Sequence, residues 1–326
     1  MAQHVVERRL GANKNRPMDN DETAKYHYIE DDDKRFINWR RLYHNRSIIE
    51  RRWQQGQYWL RSFPASYGQG ESQGHTDWIY CLQFDTTTLI SGSRDRTIKL
   101  WDMTSGECVR TLLGHSASVL CLQFNDQWIF SGSSDKTILV WDRHTGNIRQ
   151  RLLGHTESVL NLCISKHRLV TASKDRTVRL WEDLQKDDAP ITPTLVLRGH
   201  NAAINAVKCQ DDIIVSASGD RTIRVWNAVD GQCLQVLTGH SRGIACVELV
   251  GNRIVSGSGD QGIVIWDVEQ GKVIHTLAGH SDLVRTLQMD DQQKFIVSGG
   301  YDGTLRVWNA EQGHQLKCIQ RGIDGR

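Results

Sequence analysis

Histidine, a hydroxyl, aspartate and tryptophan recur along this chain in a fixed order, and the first three are the side chains of nucleophilic hydrolysis. The sets are His75, Ser91, Asp95 and Trp101; His115, Ser131, Asp135 and Trp141; His155, Thr171, Asp175 and Trp181; His200, Ser216, Asp220 and Trp226; His240, Ser256, Asp260 and Trp266; and His280, Ser298, Asp302 and Trp308. In each, the hydroxyl stands ten residues before the Trp and the Asp six before it. One set would be a candidate catalytic triad, and His with Asp would also suit a metal. Six sets point to architecture instead, because chemistry needs such a constellation once. A Trp N–H only donates, an ionised Asp only accepts, and His and Ser do both. Four such groups close into a hydrogen-bonded chain that leaves little buried polarity unsatisfied. No His/Ser/Asp constellation lies outside the repeat. Neither catalytic residues nor a metal or cofactor is expected, and the chain is not expected to be an enzyme.

Eight cysteines, Cys81, Cys108, Cys121, Cys163, Cys209, Cys233, Cys246 and Cys318, form no CxxC pair. Their spacing supports neither a zinc site nor a redox motif. Most fall inside apolar strand patterns, so free, buried thiols are expected.

The frame that carries the sets is a repeat. Gly-His pairs end at His75, His115, His155, His200, His240 and His280, so successive units are 40, 40, 45, 40 and 40 residues apart. The longer interval holds an insertion around Asp187 to Pro193, which reads as a surface loop. Each unit reads as four short strands. In the first, Ile79–Phe84 and Leu89–Ser93 are apolar, Thr97–Trp101 alternates, and Cys108–Leu112 follows a Thr-Ser-Gly turn. Antiparallel meanders repeated at this period make an all-β propeller, here with six recognisable blades over 57–326. A propeller must hide its end strands. Either a strained six-blade ring or an open ring between blades one and six is expected.

Residues 1–33 are polar, with DNDE and EDDD runs, and read as disordered. From Lys34 to Gly56 the apolar positions Phe36, Trp39, Leu42 and Tyr43, then Ile48, Ile49 and Trp53, fall at helical spacing, giving a short helical linker. Tyr58–Phe63 reads as a strand. The formal net charge is +2, from 40 basic and 38 acidic side chains, which argues against a general nucleic-acid binder. No run of about 18 apolar residues and no apolar leader occurs, so a soluble protein of the cytoplasm or nucleus, without a membrane partner, is expected.

In a propeller the strand nearest the channel begins just after the Gly-His pair, and the turn holding the Asp lies on the same face. Three positions per blade therefore ring the channel mouth: three and five after the His, and one before the Asp. They are Trp78, Tyr80 and Arg94; Ser118, Leu120 and Ser134; Ser158, Leu160 and Lys174; Ala203, Asn205 and Gly219; Gly243, Ala245 and Gly259; and Leu283, Arg285 and Tyr301, with Arg242 adjoining. Four of these are cations and none is an acid. Arg forks and hydroxyls suit phosphate oxygens.

The units resemble the WD-repeat family, in which the His, hydroxyl, Asp and Trp form a structural tetrad within each blade. A narrower resemblance rests on Trp39-Arg-Arg-Leu42-Tyr43 and Arg51-Arg52-Trp53-Gln-Gln-Gly56, which look like the linker of F-box/WD-repeat proteins. The blade segments Ile79–Asp85, Ser118–Phe124, Ser216–Asn227, Gly239–Leu249 and Leu283–Trp308 are similar to the beta-transducin-repeat-containing branch of that family. The resemblance implies a substrate-recognition propeller for a Skp–cullin (SCF-type) ubiquitin ligase, reading a doubly phosphorylated Asp-Ser-Gly degron. It implies contact with such a peptide through Tyr80, Arg94, Ser118, Ser134, Leu160, Lys174, Asn205, Arg242, Gly243, Ala245, Leu283, Arg285 and Tyr301. Gly259 departs from the Ser of the pattern. No F-box is recognisable in these 326 residues, and no seventh blade follows the sixth. Association with the Skp–cullin ligase is therefore expected only if an F-box exists outside this chain. The alternative is a WD-repeat scaffold with no ligase link.

Overall fold

Each repeat alternates β-branched or aromatic runs with Asp- and Gly-bearing turns, and each such run is a strand. The computed structural model describes residues 28–31, 34–37, 63–64, 74–165, 168–182 and 192–320. The chain divides into two compact units, 1–62 with 324–326, and 63–323.

The second unit holds six antiparallel four-stranded sheets, each in simple sequence order. The first strands are Ile79–Phe84, Val119–Phe124, Val159–Ser165, Ile204–Gln210, Ile244–Val250 and Val284–Met289. They pack side by side from blade to blade, forming the inner wall. The turn before each third strand is set by the tetrad Asp, whose Oδ1 accepts the backbone N–H two residues on at 2.9–3.0 Å. The intervening residue takes a left-handed φ near 70° at Arg96, Lys136, Arg176, Arg221 and Gln261. In blade six that place is taken by Gly303, for which φ 73° carries no Cβ penalty.

The core sits between blades. Each of the five interfaces buries the tetrad Trp of the later blade, Trp141, Trp181, Trp226, Trp266 and Trp308, among aliphatic side chains of the earlier one. Truncating a buried aromatic of this size to Ala costs about 3–5 kcal/mol. Trp101 has no earlier blade. Phe63 meets it edge-on, with ring centroids 6.3 Å apart.

Side chains on the inner strands also clasp each blade to the next. Gln83 accepts from Phe124 N at 2.7 Å and donates back to its carbonyl at 3.4 Å. Gln123 accepts from Ile164 N at 2.6 Å, and Asn161 from Val207 N at 3.2 Å. Lys208 pairs with Glu248 at 3.1 Å, a carboxyl whose pKa burial raises despite that cation.

Of the two expected outcomes for closure, the ring is open between blades one and six. Ile79, Leu82 and Phe84 on the first strand of blade one are 52%, 58% and 62% exposed, whereas the corresponding Val119, Leu122 and Phe124 of blade two are 0%, 7% and 8%. On blade six Leu305 is 49% exposed, and its counterpart Ile98 is 1%.

The first unit departs from expectation. Tyr28–Asp31 and Lys34–Ile37 are strands, where disorder and the start of a helix were expected. They pair antiparallel, with Ile29 opposite Phe36, Glu30 opposite Arg35 and Asp31 opposite Lys34. Aromatic and β-branched residues on either side of an Asp run are hairpin chemistry. The remainder of the helical linker, and the expected strand up to 62, lie outside the described residues. Phe63 itself is in a bend. Most of the insertion in repeat three also lies outside them.

Candidate functional site

The six tetrads form as their donor and acceptor inventory requires. In blade one the Trp101 N–H donates to Ser91 Oγ at 2.8 Å. Ser91 Oγ lies 2.7 Å from His75 Nε2, and His75 Nδ1 lies 2.9 Å from Asp95 Oδ2. The other five repeat this within 0.2 Å, with Thr171 as the hydroxyl of blade three. The Trp N–H donates to the hydroxyl, and the His ring bridges hydroxyl and Asp carboxylate through its two nitrogens. Burial lowers the pKa of His75, His155 and His200, against the raising effect of their Asp partners. Burial would raise the Asp carboxyls, but hydrogen bonds from the Thr two residues on, from the His and from the backbone outweigh it. Asp95 and Asp220 are held at about 2, and Asp135, Asp175 and Asp302 lower still. The carboxylates are tightly held, and the histidine side chains are shielded from solvent. Among the described residues, no group of three or more His, Cys, Asp or Glu could hold a metal.

A fifth member, absent from the sequence reading, joins five of the tetrads. Thr97, Thr137, Thr177, Thr222 and Thr304 donate through Oγ1 to Oδ1 of the Asp at 2.6–2.8 Å. Blade five has Gly262 there, and a cavity of about 350 Å³ opens beside His240 and Asp260.

The channel-mouth positions come together through the backbone. The residue before each tetrad Asp donates its N–H to the residue three after the His: Arg94 to Trp78, Ser134 to Ser118, Lys174 to Ser158, Gly219 to Ala203, Gly259 to Gly243 and Tyr301 to Leu283, at 2.8–3.0 Å. The position five after the His, at Tyr80, Leu120, Leu160, Asn205, Ala245 and Arg285, is in every blade the extra residue where the first strand's register shifts. A bulge re-aims its side chain out of the ladder. Neighbouring blades meet here as well: a Cβ on Gly243 would lie 3.2 Å from Gly219 Cα, and one on Gly259 3.7 Å from Arg242 and Leu283.

Arg94, Lys174, Arg242, Arg285 and Tyr301 are exposed, and Tyr80 is 38% exposed. Ser118, Ser134, Leu160, Asn205, Gly243, Ala245 and Leu283 are half-buried. Two features qualify the sequence picture. Asn205 spends one donor on Ile244 O of the next blade, at 2.7 Å. Arg94 leans on Asp77 at 3.5 Å. Asp77, Glu157 and Asp282 all stand two after a tetrad His, next to the ring, and sequence reasoning passed them over. Lys174, Arg242 and Arg285 have no acidic partner among the described residues. Ser93, Ser133, Ser173, Ser218 and Ser258 were also missed. Each accepts from the tetrad Asp N–H and donates to the carbonyl two after the His, tying the two mouth loops together.

Six segments, 69–102, 106–142, 146–182, 191–227, 231–267 and 271–309, match the family model described as WD domain, G-beta repeat. The chain is 38% identical over 77 residues to a protein of Talaromyces marneffei, and 37% over 79 residues to one of Aspergillus terreus. Both are described as probable E3 ubiquitin ligase complex SCF subunit sconB. Each alignment covers 24% of this chain and 10% of the relative, so the chain matches about a tenth of those curated proteins' length. Among solved structures it resembles the crystal structure of the computationally designed Ika8 protein, with a TM-score of 0.67 and 31% identity over 76% of this chain and 75% of that one.

Proposed function

This chain belongs to the WD-repeat family, and on that premise we propose that its channel mouth binds phosphoserine-bearing protein segments as the substrate-recognition part of an SCF-type ubiquitin ligase, in the cytoplasm or nucleus. The observation that carries this reading is the set of exposed cations without acidic partners among the described residues, Lys174, Arg242 and Arg285, beside Arg94 on one series of paired loops. The names of the sconB relatives favour the ligase link. In this reading the chain is a binding module and does no chemistry on its substrate; any contact with a Skp adaptor is made by an F-box outside these residues.

Each phosphoserine brings about −1.5 to −2 charges and three strong acceptor oxygens at neutral pH. Arg242 and Arg285 offer forked, charge-assisted donors, and Arg94 and Lys174 extend the field. Ser118 and Ser134 add neutral donors. Tyr80, Leu160, Ala245, Leu283 and Tyr301 pack the spacer between phosphates, and Gly243 leaves it room. The experiment is titration calorimetry with matched peptides carrying two phosphoserines or none. The phosphorylated form binds at least tenfold tighter, loses affinity with salt because the mouth is solvent-screened, and loses most of its advantage in Arg285→Glu. Gly259→Ser, which has room for a Cβ beside Arg242, strengthens binding. Equal binding of the two peptides, or an indifferent Arg285→Glu, sinks this reading in favour of a WD-repeat scaffold with no ligase link.

A further inference from the structure

All eight cysteines are free, yet only Cys121, Cys163 and Cys246 are buried. Three inner-strand thiols point at carbonyls: Cys81 at Gly92 O, Cys121 at Val159 O and Cys246 at Val284 O, at 3.5–3.8 Å. Cys163 alone faces another sulfur. Its Sγ lies 2.7 Å from Sγ of Cys209 on the first strand of the next blade.

The place matters as much as the distance. Cys163 follows Leu162 as Gln83 follows Leu82 and Gln123 follows Leu122. At those two positions the Gln side chain clasps the next blade one residue further along its strand, at Phe124 and Ile164. Cys209 is the corresponding residue of blade four. A thiol pair thus stands where the first two junctions have an amide bond to the neighbouring blade. A neighbouring clasp, Asn161 accepting from Val207 N at 3.2 Å, holds the two strands in register.

We propose that Cys163 and Cys209 are a modification site, at which a low-molecular-weight disulfide oxidises them to a covalent bond joining blades three and four. The sulfurs need to close only about 0.7 Å to reach the ~2.05 Å of a disulfide. Cys209 is half-buried and Cys163 is 2% exposed, which orders the steps. Cys209, as thiolate, attacks one sulfur of glutathione disulfide, forming a mixed disulfide and releasing one glutathione thiolate. Cys163, losing its proton, then attacks the Cys209 sulfur and releases the second. The protein gives up two electrons and two protons, and one glutathione disulfide becomes two glutathiones. Burial raises the Cys163 thiol pKa, in keeping with its attacking second.

The test uses the full chain, treated with glutathione disulfide, alkylated, and digested without reductant for mass spectrometry. The expected result is one linked peptide pair containing Cys163 and Cys209. It is lost on dithiothreitol treatment and absent from Cys209→Ser and from Cys163→Ser. The melting midpoint rises on oxidation of the parent protein and not of either variant, since the new link closes a 46-residue loop of the unfolded chain. Cys209 held as a glutathione adduct beside a free Cys163, a link from either to another cysteine, or both thiols alkylated after treatment would overturn the proposal. Circular dichroism on each sample establishes that the protein tested is folded.

Discussion

Blades one and two carry nearly the same inner strand, Ile79-Tyr-Cys-Leu-Gln-Phe84 and Val119-Leu-Cys-Leu-Gln-Phe124, and nearly the same turn. Their tetrads agree to within 0.1 Å. Yet Phe124 is 8% exposed and Phe84 is 62%. A blade builds its own polar network, but its apolar face is completed only by the blade before it. The tetrad is a property of one repeat, and the core is a property of two.

The sharpest way to break that contrast is to truncate the two phenylalanines. Phe124→Ala should cost about 3–5 kcal/mol, read as a lowered urea midpoint, because it empties the blade one–two interface. Phe84→Ala should cost under about 0.5 kcal/mol, as for a surface change. Equal losses would mean that blade one's face is covered in solution.

Acid probes what the blades share. Histidines with lowered folded pKa values, such as His75, give stability that is full above the ordinary 6.5 and is lost as the pH falls below it, where the unfolded chain takes up protons first. Asp95, held at about 2, gives stability that is full above the ordinary carboxyl value of about 4 and is lost as the pH falls from there toward 2. Urea midpoints between pH 3 and pH 8 should therefore decline on the acid side in two stages. A flat profile from pH 8 to pH 5 would contradict neutral, buried histidines.

The smallest change adds the fifth member that blade five lacks. Gly262→Thr supplies the hydroxyl that every other blade gives its Asp, and its Cβ would meet the Asp260 carboxylate, with Oδ1 at 3.1 Å. A gain of about 1 kcal/mol is expected in thermal or urea melts. A loss would show that the cavity beside His240 is needed open.

The propeller was legible because its signals are local and repeated. The Gly-His pair, the turn Asp and the Trp set the period, and the strands expected at Ile79–Phe84 and Cys108–Leu112 are the observed ones. The hairpin at 28–37 was not, since Phe36 fits a helical spacing with Trp39 and Tyr43 as well as a strand, and four residues are too few to separate the two periods. The basic mouth positions were found because they keep a fixed offset from the His. Asp77, Glu157 and Asp282 escaped because their position alternates with Ala117, Ala202 and Arg242, hiding the pattern. The facing thiols escaped for another reason: their 46-residue separation takes meaning only from the register of two packed blades.

An open array has two ends. Detaching blade one or blade six breaks one interface, whereas opening blade three or four breaks two, so local unfolding costs least at the rims of the gap. In the language of amide exchange, protection is graded from the middle outward. Tyr80 and Arg94 stand on one fraying blade, Arg285 and Tyr301 on the other. A ligand gripping both would turn a linear series of interfaces into a closed one, and the protection it conferred would be greatest at the ends, where the array has least of its own.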